Sequence, residues 1–215
     1  MLDRKIAYIS KGLPKSSLFN GQEFVSGIWK EQVDTLVVRP VKIDEDDVAN
    51  PAYHGGPDRV VCVYPYEHYA HWEKQFGQAL AGAAFGENLT VLNMREDQVC
   101  IGDVYQIGET ILQVSQGRYP CATINKRNNN NRLLKGVVEM GYTGYFLRVL
   151  QEGTISSDST ITQLSAHPQQ ITVAEIHHLY FHDNSPDPKT LERMLSVEEL
   201  ALPWRKKLLE KQQRA

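Results

Sequence analysis

No apolar run in this chain is long, and most runs come as short blocks separated by turn residues. Residues 6–9, 35–38, 60–64, 89–92, 103–107 and 110–114 are such blocks, several of them rich in Val, Ile, Thr and Tyr. β-branched and aromatic residues at this density favour extended backbone. A strand that short buries too little by itself, so many must share one core, as in a closed or nearly closed β-barrel. Gly108-Glu109, between two of the blocks, suits a hairpin turn.

Helical periodicity interrupts this pattern. Residues 65–76 place Tyr69, Trp72 and Phe76 on one face, with Pro65 suited to a first helical turn. A second helix is expected at about 132–140, after a polar loop at 128–131. Beyond Ile161 the texture changes. Thr172 and Glu175 have the spacing of a capping box, as do Ser196 and Glu199. A loop at 183–188 and a short helix at 189–195 lie between them, and Pro203 begins a last segment at 204–213. The expectation is a mainly β fold with a small C-terminal α-helical extension: a barrel domain over 1–165 and three helices over 166–215.

With 215 residues the chain can bury a substantial core. Its net charge of −3 argues against a dedicated nucleic-acid binder. The start, Met1-Leu-Asp-Arg-Lys, lacks the apolar stretch of a signal peptide, and no run is long enough to span a bilayer. A cytoplasmic protein is expected, with no membrane or nucleic-acid partner. The three cysteines are widely spaced and include no CxxC pair, which disfavours a disulfide framework and excludes a zinc ribbon.

Cys62 and Cys100 sit beside valine or isoleucine and read as small core residues. Cys121 follows a strand, with Arg118 before it and Thr123 and Asn125 after it. A nearby guanidinium favours the thiolate, the form that binds metal, although an isolated turn cysteine is ordinarily inert. His54-Gly55-Gly56-Pro57-Asp58-Arg59 could bring backbone N–H groups and a guanidinium to an anion, or be a plain turn into the next strand. An HGG string also occurs in esterase oxyanion holes, but the chain has no GxSxG elbow. Gly86-Glu87-Asn88 precedes another strand and could offer polar groups to a ligand. The pairs His68/His71 and His178/His182 have helical spacing, yet each lacks further ligands and neither forms HExxH, so surface helix positions are the favoured reading.

Taken together and in order, HGGPDRVVCVYPYEHY, FGENLTV, IGDVYQIG and VSQGRYPC resemble the MOSC family, the domain shared with the C-terminal part of molybdenum cofactor sulfurases. Within that family the chain is most similar to the stand-alone YiiM-type branch, whose three-helix extension the tail resembles. The resemblance implies a MOSC β-barrel, a molybdenum–pterin cofactor (Moco), and Cys121 as the thiolate ligand to the metal. It also implies reduction of small N-hydroxylated compounds, including purine bases such as 6-N-hydroxylaminopurine, with electrons from a separate flavin or iron–sulfur protein. Lys11, Gly55, Gly56, Arg59, Asn88 and Arg118 are then the candidates for holding the cofactor. His54 and Glu87 are, by residue type, the candidates for handling protons. The family pattern has Pro-Arg where this chain has Gly117-Arg118, which predicts a looser loop before the cysteine.

Two rival readings remain. One is a carrier or transfer module that holds the cofactor or sulfur on Cys121 without its own reductase activity. The other is a metal-free binding protein for a small anion. The apolar face Leu191, Leu195 and Leu200 could pack on the barrel, form a homodimer or receive a donor protein.

Overall fold

The computed structural model describes residues 3–213. Met1 and Leu2, part of the charged N-terminal string, and Arg214 and Ala215, at the end of the expected extension, lie outside the described residues.

In chain order the strands are β1 (Lys5–Lys11), β2 (Lys15–Phe19), β3 (Gln22–Ser26), β4 (Glu31–Val33), β5 (Thr35–Arg39), β6 (Lys42–Ile43), β7 (Val61–Pro65), β8 (Leu89–Leu92), β9 (Val104–Ile107), β10 (Thr110–Gly117), β11 (Tyr145–Gln151), β12 (Gly153–Ser156) and β13 (Ile161–Ser165). The helices are α1 (Pro51–His54), α2 (Glu67–Phe76), α3 (Thr123–Arg127), α4 (Leu133–Met140), α5 (Val173–Phe181), α6 (Pro188–Leu195) and α7 (Leu202–Gln212). Each β block read from the sequence is a strand. β9 and β10 pair across Gly108-Glu109, with Thr110 opposite Ile107.

Eight strands form one curled sheet in the order β13-β9-β10-β11-β7-β8-β1-β4. The sheet is a half-barrel, because its edge strands β13 and β4 do not pair with each other; a three-stranded sheet, β12-β5-β6, packs beside it. The neighbours β7 and β8 run parallel. Parallel neighbours begin at the same end of a sheet. The two loops that feed them, His54 to Arg59 and Phe85 to Asn88, therefore arrive side by side.

The expected helix at 65–76 begins later. Pro65 closes β7 opposite Val91 of β8, and α2 starts at Glu67. Proline lacks an N–H but tolerates extended backbone at a strand end. Tyr69 and Trp72 are buried, as their spacing predicts. The capping box at Thr172 is present: Glu175 N–H donates to Thr172 Oγ1 at 3.0 Å, and Thr172 N–H donates to Glu175 Oε2 at 2.7 Å. The second expected box is absent. Ser196 instead terminates α6, its hydroxyl bonding Gln169 and the Arg193 carbonyl, while Glu199 faces His167 at 3.2 Å. The last helix starts at Leu202, with Pro203 in its first turn.

One hydrophobic cluster joins Ile9, Val61, Leu112, Val114 and Leu147 of the sheet to Ile176, Leu191, Met194, Trp204 and Leu208 of the helices and to Leu200 between α6 and α7. Leu195 packs against the same cluster. The leucine face noted in the sequence is thus covered by the chain's own core. A second cluster, around Tyr64, Tyr69, Trp72 and Phe85, lies between α2, α3 and α4.

Because the core is continuous, Leu208→Ala should destabilise the whole protein by about 2–5 kcal/mol, as expected for a buried leucine. Denaturant unfolding followed by circular dichroism and tryptophan fluorescence should give one coincident transition. Separate transitions for sheet and helices would contradict a shared core.

Candidate functional site

Three segments converge where β7, β8 and β10 meet their loops. The first runs through α1 and a 3₁₀ turn at Pro57–Arg59. Asn50 O accepts from the N–H of Tyr53 and His54, and Gly55 N–H closes the turn onto Pro51 O at 2.9 Å. Gly56 has φ +108°, which favours glycine. Arg59 Nη1 clamps the turn by donating to Tyr53 O at 2.6 Å. Burial pushes the Arg59 guanidinium pKa down. The turn is fastened to the sheet: Ser115 Oγ donates to Asp58 O at 2.6 Å, and Arg148 Nε donates to Asp58 Oδ1 at 2.8 Å. His54 is thereby held at a fixed place beside β10.

The second segment leaves β10 and carries Cys121. Arg118 N–H donates to Gly144 O at 3.0 Å, and Arg118 Nη1 donates to Phe85 O at 2.5 Å. Ile124 N–H donates to Cys121 O at 3.1 Å, so the cysteine sits on the turn that opens α3. Its Sγ lies 3.2 Å from Thr123 Oγ1 and beside the His54 side chain. The hydrogen bond with His54 pulls the thiol pKa down to about 6, with Thr123 assisting and half-burial opposing. The sequence assigned this effect to Arg118. The structure gives it to His54 and Thr123, while the Arg118 guanidinium reaches Phe85 and stands 4.0 Å from Cys62 Sγ.

The third segment is the turn before β8. Gly86 has φ +74°, and a Cβ there would meet Ile28 Cγ1 at 2.8 Å. Glu87 is fully buried and accepts from Tyr69 Oη (2.5 Å), Thr90 Oγ1 (2.9 Å) and Phe85 N–H (3.1 Å). Burial, then the Glu87 charge, push the Tyr69 phenol far above its usual range. Asn88 is equally enclosed: Oδ1 accepts from Cys62 N–H, and Nδ2 donates to Ser10 O and Asp46 Oδ2. These two residues shape the site from beneath.

Of the other expected residues, Lys11 sits at the end of β1 with Nζ 2.5 Å from Glu45. The N–H of Gly55 is taken by Pro51, whereas that of Gly56 has no acceptor among the described residues. Sequence reasoning missed Lys30, which forms a buried ion pair with Asp46. Ser10, next to the candidate Lys11, has a buried hydroxyl with no hydrogen-bond partner among the described residues. No spacing or motif marks Lys30. The expected looseness at Gly117 is not found. Trp204 Nε1 donates to Gly117 O at 2.6 Å, and a Cβ at Gly117 would lie 2.4 Å from His177 Nε2. The glycine admits a close neighbour.

The histidine pairs diverge. His68 is buried against Glu96 at 2.7 Å, while His178 and His182 lie exposed, 5.8 Å apart. Among the described residues, no three His, Cys, Asp or Glu side chains are grouped to hold a metal ion.

A curled β half-barrel that presents one low-pKa cysteine between an HGG turn and a GEN turn defines a class of soft-ligand site. The chain belongs to the MOSC domain family: residues 50–162 match that domain, and residues 171–211 match the YiiM-like 3-alpha helix domain. It is 37% identical over 207 residues to the uncharacterized protein YflK of Bacillus subtilis, covering 96% of this chain and 93% of that one. The crystal structure of YiiM from Geobacillus stearothermophilus superposes with a TM-score of 0.83 at 30% identity, covering 99% of this chain and all of that one (100%). A Gibberella moniliformis protein named Reductase is 36% identical over 148 residues, covering 67% of this chain and 26% of that protein. Among the described residues no helix is long and apolar enough to cross a membrane.

At pH 7 Cys121 lies above its pKa and is mostly thiolate, whereas burial pushes Cys100 up to about 11 and raises Cys62. Iodoacetamide should therefore label Cys121 first, its rate falling as pH drops through about 6. Peptide mass spectrometry reads the order of labelling, and earlier modification of Cys62 or Cys100 would overturn this assignment.

Proposed function

We propose that this protein is a molybdenum-cofactor-dependent reductase of small N-hydroxylated compounds, with Cys121 as the metal thiolate. The observation that carries the reading is the Cys121 thiol, held in its ligating form by His54 at the junction of the three loops. Family membership supports the cofactor, and the relative named Reductase supports the reaction class. When bound, the cofactor supplies the two-electron centre and its own dithiolene sulfurs.

The residues present fit such a group. The soft donor is a single thiolate. The cofactor's phosphate calls for cations and N–H donors, and Lys11, Arg59, Gly56 N–H and the Ser10 hydroxyl, which has no partner among the described residues, are the groups nearest to that need, whereas Lys30 is held by Asp46. Asn88 and Arg118 contribute by fixing the loops to one another, since their polar atoms bond protein.

Reduction of R–NH–OH to R–NH₂ consumes two electrons and two protons and releases water. The electrons come from a separate flavin or iron–sulfur protein. His54 is exposed to solvent and lies beside Cys121, which suits it to hold and return a proton at the reacting atoms. Glu87, also a candidate by residue type, is enclosed by three donors. Its role is to position the turn.

The test is expression in a host that makes the cofactor, with molybdenum per chain and reduction of N-hydroxylaminopurine measured using a reduced donor. Cys121→Ser should lower both by at least about 100-fold, since even outer-shell partners of a metal contribute 10–100-fold. A variant with full metal content and activity would remove the central claim. Metal retained without any reductase activity in the wild type would favour a carrier instead.

His54→Ala should keep its molybdenum and lose about 10²-fold or more in kcat, the usual loss for a proton-transfer group. Cys62→Ala should keep full molybdenum and lose about 1 kcal/mol of stability, because its sulfur is a buried packing group.

A further inference from the structure

His177 lies on α5, is almost completely buried, and has no place in the chemistry described above. Its Nδ1 is 2.6 Å from Thr143 Oγ1, and the main chain of Arg118 is within hydrogen-bonding reach of the ring. The Thr143 hydroxyl also reaches Gly144 O at 3.1 Å, so Thr143 links the ring to the segment that enters β11 whichever ring nitrogen carries the proton. Burial favours the neutral form of the imidazole.

The same ring fills the space left by the missing side chain of Gly117, and Trp204 from α7 packs on it with ring centroids 5.1 Å apart. Trp204 also bonds the Gly117 carbonyl. On the other side, Gly144 O receives Arg118 N–H, while Gly144 N–H donates to Glu96 Oε1 at 2.7 Å. Gly117 and Arg118 are therefore gripped between the C-terminal helices and the segment that enters β11.

We propose that His177 is a positioning residue for the Cys121 loop. Through Thr143, Gly117 and the Arg118 main chain, it makes the three-helix extension a clamp that keeps Cys121 within reach of His54. This assignment gives the helices a role at the site, and its relevance to metal binding rests on the reading of Cys121 as the ligand. A proline at 117 would set φ by its ring; here glycine provides room, and a histidine from another element provides the rigidity.

The experiment uses the full-length chain produced without cofactor, so its outcome is independent of whether molybdenum binds. The rate of Cys121 alkylation at pH 7 is measured at a temperature where thermal unfolding shows every variant to be folded. Cys100 serves as the internal reference. His177→Phe keeps a flat ring and removes both hydrogen bonds; Cys121 labelling should slow by about fivefold or more as the thiolate contact with His54 is lost. His177→Gln, which can bond both partners, should restore most of the rate.

Gly117→Ala should slow labelling in the otherwise wild-type chain, and should add no further loss to His177→Ala, where the ring it strikes is gone. Either of these patterns supports the clamp, including the case in which His177→Phe fails to fold. If the glutamine, alanine and Gly117 variants lower the melting temperature but leave Cys121 labelling within about twofold of wild type, His177 is a packing residue and the proposal falls. Molybdenum per chain in the same variants, made in a competent host, then reports separately on the metal reading.

Discussion

Two adjacent polar side chains, Glu87 and Asn88, are enclosed by protein, and the site is arranged to satisfy them. An unpaired carboxylate or amide at that depth would cost several kcal/mol. Glu87 is met by Tyr69 from α2, by Thr90 from β8 and by its own turn. Asn88 is met by β1, by β7 and by Asp46. Asp46 in turn receives Gly12 N–H at 2.8 Å and pairs with Lys30. Five separate parts of the chain thus owe their register to four side-chain polar atoms. Half-satisfied polar networks are worse than apolar packing, so this one tolerates few alternatives.

The cysteine has a contrasting environment. Cys121 is only half-enclosed, and its chemistry depends on one exposed histidine and one hydroxyl. The buried network beneath it is rigid, and the thiol above it is accessible to solvent. Arg118 connects the two, with its main chain on Gly144 and its guanidinium on the Phe85 carbonyl. A guanidinium's several donors allow this kind of bracing without direct contact with Cys121.

Five strands of the main sheet, β1 and β7 to β10, were legible because β-branched blocks and glycine turns announce them, and the Thr172 capping box marks α5; β4, β11 and β13 of the same sheet were not read. The hairpin β2–β3 was not read, since KSSLF and QEFVS carry little apolar alternation and lie largely exposed. For the site, Cys121 and the HGG and GEN turns were visible as strings. Which of their atoms meet was not, because His54 and Cys121 are brought together only when the turn at Asp58 docks on Ser115. Proline at 65 misled for a local reason: its fixed φ suits a first helical turn and a strand end alike. Lys30 and His177 act through partners far away in sequence, and single-chain patterns carry no sign of such pairings.

The bond from Trp204 to Gly117 has a consequence for the order in which the molecule is made. The strand leaves the ribosome well before the indole that holds it, and the two are 87 residues apart. Until then, β10 ends in a glycine whose carbonyl lacks its indole partner. The brace on the end of β10 therefore forms only after the segment that carries Trp204 has been made.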